Sequence, residues 1–159
     1  MKAWAESQQV SINIAFWSFT VIAAGLFGCV MGGRWSVKLG SRKVAFYMLL
    51  GSGLCCLLSP LAFQLPLILM LLFWWFWGFT IVGDSPQFSA LSAQTSPPAV
   101  VGSALTMINC IGFSIAIVSV QLSALLLAQV PVAWLMWLFV PGPVLGMLSL
   151  RWLARQQAG

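Results

Sequence analysis

A chain of 159 residues that is 61% apolar and 6% charged, with a mean hydropathy of +1.01, lacks the polar surface of a water-soluble globule, in which about a quarter of residues are charged. Its formal charge of +5 comes from basic clusters that flank apolar runs, not from a broad basic face, which argues against a nucleic-acid partner. There is no histidine, and Cys29, Cys55, Cys56 and Cys110 sit inside apolar runs without CxxC spacing, so no metal site, cofactor site or histidine-based catalytic triad is expected, and the cysteines read as small packing residues.

In chain order, the apolar runs cover 10–32, 44–63, 66–83, 99–127 and 131–150. At about 1.5 Å per residue each is long enough for a hydrocarbon core of about 30 Å; the third is marginal, and the fourth is overlong because it begins early, after Pro97 and Pro98. No run alternates apolar with polar residues as a barrel wall does. The expected fold is therefore an all-α integral membrane protein of about five transmembrane helices, forming one membrane domain over 1–159. The first run is too long for a signal-peptide core and lacks a small-residue cleavage site, so it is expected to remain as a helix.

Between the first two runs, segment 33–43 carries Arg34, Lys38, Arg42 and Lys43, and the tail after the last run carries Arg151 and Arg155. Basic residues mark the cytoplasmic side, and five spans put both clusters on one side. The other side holds Lys2 and Glu6, a tight connection at Gln64–Pro66 and an uncharged turn around Gln129–Pro131. The expected protein is multi-pass in the cell (inner) membrane, with its N-terminus outside and its C-terminus cytoplasmic.

Within the basic segment, Gly33, Lys38, Gly40, Arg42 and Lys43 fall on the spacing GxxxD(R/K)xGR(R/K). This resembles the cytoplasmic loop motif of the major facilitator superfamily (MFS), with Val37 in place of the aspartate and Ser41 in place of a frequent arginine, as in the degenerate copy between helices 8 and 9. The stretch from Asp84-Ser85-Pro86-Gln87-Phe88-Ser89 through Pro97-Pro98 to Gly102-Ser103-Ala104-Leu105-Thr106 and Asn109 is similar to the helix 10 to helix 11 region of bacterial members. The resemblance implies that the five spans correspond to helices 8 to 12, a partial C-terminal bundle, and that helix 7 and an N-terminal half-bundle are its missing partners.

The same resemblance implies that run 66–83 lines a solute cavity, that 10–32 and 99–127 meet the partner half, and that 44–63 and 131–150 face lipid. Polar residues within 10–32 and 99–127 agree with that division, because buried amides and hydroxyls require partners. The cavity candidates are Trp74, Trp77, Thr80 and Asn109. Indoles offer apolar area and a negative ring face, and an amide at mid-span suits a hydrogen bond to solute or to a facing helix. Each also has a plainer reading, as a packing aromatic or a satisfied structural amide. Asp84, at the cytoplasmic end of its run, has three roles open to it: pairing with the basic loop, capping the next turn, or binding a coupling proton, which requires a carboxylate at membrane depth. Gly28 with Gly32, and Gly142 with Gly146, form GxxxG pairs suited to close helix packing, and Pro141 and Pro143 are expected to kink the last helix.

Three functions compete. The first is transport of a small solute by alternating access, possible only with a second half-bundle or a second protein copy to complete the cavity. The second is catalysis, disfavoured because the only carboxylates, Glu6 and Asp84, are expected on opposite faces of the membrane. The third is a truncated or accessory membrane protein without transport activity of its own. Substrate, coupling ion and direction of transport are not legible in the residues.

Overall fold

The computed structural model describes residues 13–127 and 129–156; Lys2, Glu6 and the start of the first apolar run lie outside them. The elements are α1 (Ile14–Leu39), α2 (Ser41–Ala62), α3 (Leu67–Gly83), α4 (Ser85–Thr95), α5 (Val101–Leu126), α6 (Val132–Leu135) and α7 (Pro141–Gln156), with 3-10 turns at Pro98–Val100 and Met136–Phe139. Among the described residues, five helical stretches are long and apolar enough to cross a membrane: Ala15–Leu39, Ser41–Ala62, Leu67–Thr95, Pro98–Leu126 and Met136–Arg155. The protein is an all-α, multi-pass membrane protein.

Local chemistry sets each boundary. Asn13 starts α1 by accepting the Phe16 amide on its side chain at 3.1 Å. The helix then runs on to Leu39, so segment 33–43, expected as a loop, is helical on both sides of one residue, Gly40. Gly40 takes φ 85° and ψ 140°, a conformation almost confined to glycine, and its amide bonds the Ser36 carbonyl at 2.9 Å. Arg34 and Lys38 sit within the last turns of α1, where long side chains keep their charge in water while their stems stay in the helix. Likewise the third run does not stop at Gly83. Asp84 keeps helical angles, φ −80° and ψ −33°, and α4 continues from Ser85 to Thr95.

That continuation passes Pro86, which has no amide to give the Val82 carbonyl four residues earlier. The thiol of Cys29, on α1, takes up that carbonyl instead at 3.3 Å. The two helices approach closely here because the facing residues lack side chains. A Cβ on Gly28 would collide with the Phe79 carbonyl oxygen, and one on Gly78 would lie 2.5 Å from the Val21 carbonyl oxygen. In lipid, where apolar burial gives no net drive, such contacts and polar ties hold helices together. One of those ties runs from Trp75 Nε1 to Thr20 Oγ1 at 3.1 Å.

The central helix is α2. Half of the residues in its most apolar window are buried, against none in that of α5. It packs on α1, α3, α4 and α7 through a face that includes Ser52, Gly53, Cys56 and Ser59. Run 44–63, expected to face lipid, is two-sided: small side chains on one face admit its neighbours, while Leu54, Leu57, Leu58 and Leu61 lie exposed on the other. The last run breaks at its prolines. Met136–Phe139 winds as a 3-10 turn, Pro141 opens α7, and Trp137 Nε1 ties the turn to the Leu57 carbonyl at 3.3 Å.

Candidate functional site

One face of the α3–α4 helix carries Trp77, Ile81, Asp84 and Phe88, spaced by four, three and four residues, so all four project in nearly one direction. They form one wall of a cavity of about 750 Å³. Opposite stand Leu49, Ser52 and Cys56 of α2, and the remaining walls come from Gly112 and Ala116 of α5, from Met136 and Phe139 of the second 3-10 turn, and from Gly142, Pro143 and Gly146 at the start of α7. The volume exists because the facing helices present glycine and alanine. Of the GxxxG pairs, Gly28 and Gly32 lie against α3 and α4, Gly146 lies against Leu49, and Gly142 faces open space.

The chemistry of this cavity is sparse and directional. Trp77 Nε1 is buried without a hydrogen-bond partner within range, and the Cys56 thiol on the facing wall of α2 is its polar neighbour. Its ring lies 4.9 Å from that of Trp74 at 51°. Asp84 is the sole carboxylate among the described residues; its Oδ1 accepts the Ser85 hydroxyl at 3.3 Å. The 17 residues of α3 put Asp84 about 25 Å along the axis from Leu67, within a helix that continues to Thr95 and does not end at Gly83. Trp77 and Asp84 are about 10 Å apart along the axis, which sets the length of a molecule able to touch both.

The four expected cavity residues do not converge on one place. Trp77 lines the cavity. Trp74 packs into the cluster around Met70 and Leu71, edge-on to Phe63 at 6.0 Å, with its own Nε1 buried and unpartnered. Thr80 is buried on another side of α3; its hydroxyl donates to the Trp77 carbonyl at 3.0 Å, and it lines a separate 420 Å³ cleft with Trp35 and Phe79. Asn109 is exposed on α5 and lines a 350 Å³ groove between α4 and α5. That groove and the main cavity share Phe88, Gly112 and Ala116, so the two are contiguous. Sequence reasoning missed Ser52 and Cys56, because it had assigned their helix to lipid, and it missed Phe88, whose spacing from Trp77 was the available signal.

The motif residues gather at one end of the bundle. Gly33 has open space around it, and Gly40 forms the hairpin. Arg42 and Lys43, in the first turn of α2, share a 210 Å³ groove with Arg151 of α7, whose guanidinium carbon lies 5.6 Å from the centre of the Phe46 ring. Both basic clusters thus meet at the same end. Lys38 falls in the final turn of α1 at that junction.

Comparison with protein-family models, with curated proteins and with solved structures returns no match.

Proposed function

We propose that this chain forms part of an MFS-type secondary transporter, its five spans acting as helices 8 to 12, and that it moves a small solute by alternating access once a complementary half-bundle or a second copy completes the cavity. The observation that carries this reading is the cavity faced by Trp77 and Asp84, whose α5 wall contributes no buried residue of its own. A buried indole beside the Cys56 thiol and a carboxylate in apolar surroundings favour a largely apolar solute with a donor or cationic group at the end that meets Asp84. The proposed orientation puts the basic end of the bundle in the cytoplasm of a bacterial-type inner membrane, with Asp84 as the group able to take a coupling proton. No catalysis is proposed.

The open face of α5 also supports the alternative, an accessory or truncated protein without transport of its own. Its exposed amide, Asn109, favours a neighbouring helix over lipid as its surroundings. Two measurements separate these readings. Cys110, exposed on the same helix, serves as a native handle for maleimide crosslinking in membranes, and the proposal expects a crosslinked protein partner or dimer. Vesicles from cells with and without the chain are then compared for gradient-driven uptake across a panel of amphipathic amines, amino acids and sugars. A saturable difference for one solute class supports transport. A partner without any uptake difference leaves the accessory role, and saturable uptake by the purified chain alone as a monomer overturns the requirement for completion.

A further inference from the structure

We infer that the Ser52 hydroxyl is a contact for solute in the Trp77–Asp84 cavity, and that the solute is an amine carrying an uncharged oxygen about 5 Å from its nitrogen. The inference rests on the reading of that cavity as a solute site and names the class of solute it takes. Ser52 is 3% exposed and lines the cavity between Leu49 and Cys56, on the same face of α2. The hydroxyls of Thr20, Ser36, Thr80, Ser114 and Ser123 are satisfied within their own helices, donating to a carbonyl three or four residues earlier at 2.7 to 3.0 Å. Ser52 makes no such bond, nor any other among the described residues. Burying a hydroxyl without a partner is costly, and a wall that had only to be small would be served as well by alanine. The hydroxyl is therefore placed for a group that arrives in the cavity.

Its level along α2 decides what that group is. A Cβ on Gly83 would lie 3.3 Å from Met48 Sδ, and one on Gly51 would lie 2.9 Å from Thr80 Cγ2, so residues 48 and 51 are level with 83 and 80 in antiparallel helices. Ser52 is then about 7 Å along the axis from Asp84, on the side toward Trp77. Each Cβ leans toward the start of its own helix, and between antiparallel helices that tilts the Ser52 and Asp84 side chains toward one another. With an ammonium group at the Asp84 carboxylate, an atom four bonds along the solute reaches the Ser52 hydroxyl. The hydroxyl donates to it, so that atom is an ether, hydroxyl or carbonyl oxygen. Beyond it the solute is apolar, against Ile81 and Trp77, and a second charge would meet no counterpart, because Asp84 is the sole carboxylate lining the cavity.

Calorimetric titration of the purified chain in phosphatidylcholine nanodiscs with nonylamine and with 3-(pentyloxy)propylamine tests it. The two chains are equally long, and the second has an ether oxygen four bonds from nitrogen in place of a methylene. The readout is the ratio of their dissociation constants, in which partition into the bilayer and desolvation of the ether are common to every variant. Ser52→Ala should shift that ratio about fivefold against the ether, and Ser52→Cys, close in size but a far weaker donor, should shift it in the same direction. Asp84→Asn should weaken both amines about tenfold and leave the ratio unchanged, and Ser59→Ala, on α2 outside the cavity lining, should alter neither constant. A ratio unmoved by Ser52→Ala and Ser52→Cys, with both amines still dependent on Asp84, overturns the inference and leaves the solute cavity standing. Binding of neither amine, or binding indifferent to Asp84→Asn, overturns both together.

Discussion

At the residue scale, the contact between α1 and α3 turns on atoms that are absent. A side chain at Gly28 meets the Phe79 backbone, which cannot swing aside as a side chain does, so Gly28→Leu should force the helices apart and cost about 3 kcal/mol, at the upper end of overpacking. A Cβ on Gly33 would meet nothing within 4 Å, and Gly33→Ala should be neutral or stabilise by about 0.5 kcal/mol. Reversible unfolding in mixed micelles distinguishes the two. The Cys29 thiol gives a sharper test, because its value rests on the amide that Pro86 lacks. Cys29→Ala should destabilise by about 1 kcal/mol and Cys29→Ser by less. With Pro86→Ala restoring the amide, Cys29→Ala should lose most of its effect, a coupling that a double-mutant cycle measures. For the cavity, Asp84→Asn removes the charge but keeps the shape, and under the proposed transport function solute uptake should fall by about tenfold or more while the amount of protein in the membrane is unchanged. Uptake indifferent to Asp84→Asn would detach the carboxylate from the solute.

At the scale of elements, the five spans were legible because hydropathy over some twenty residues is a strong signal. Their ends were less so. Glycine and charge at Gly33 and Arg34 looked like the beginning of a loop, yet a helix end tolerates both, and the chain turns only where Gly40 adopts a positive φ. Gly40→Ala should therefore cost about 1–3 kcal/mol and loosen the hairpin, read as a slower rate of disulfide formation between cysteines placed at Lys38 and Lys43. Which helix is central was not legible at all. Average greasiness ranks α2 beside the others, whereas its position depends on one face assembled from Ser52, Gly53, Cys56 and Ser59, and mean hydropathy is blind to how side chains are distributed around an axis. The site was partly legible for the same reason. Trp77 and Asp84 were each singled out, but the four-three-four spacing that joins them to Ile81 and Phe88 becomes visible only when Asp84 is read as lying within a helix.

For the whole molecule, the meeting of Arg42 and Lys43 with Arg151 at one end turns the charge pattern into a statement about topology. With that end in the cytoplasm, a membrane-impermeant maleimide added outside intact cells should leave cysteines at Lys38 and Arg155 unmodified, and should label both after permeabilisation. Labelling of either in intact cells reverses the orientation and removes the alignment of this hairpin with the MFS cytoplasmic loop. The packing is uneven across the molecule. α1 to α4 interlock, while α5 touches mainly α4, so hydrogen exchange and proteolysis should report α5 as the first helix to detach in the isolated protein.

The one-residue junction at Gly40 also limits how such a bundle can move. A single extended residue spans about 3.5 Å, less than the rise of one helical turn, about 5.4 Å. Without unwinding an end, α1 cannot slip past α2 by a turn, and sliding of α1 along α3 meets the carbonyl at Phe79 against a glycine. Shear is thereby blocked between the helices that form the hairpin and its closest neighbour, and tilting as one rigid wedge is the motion left to them.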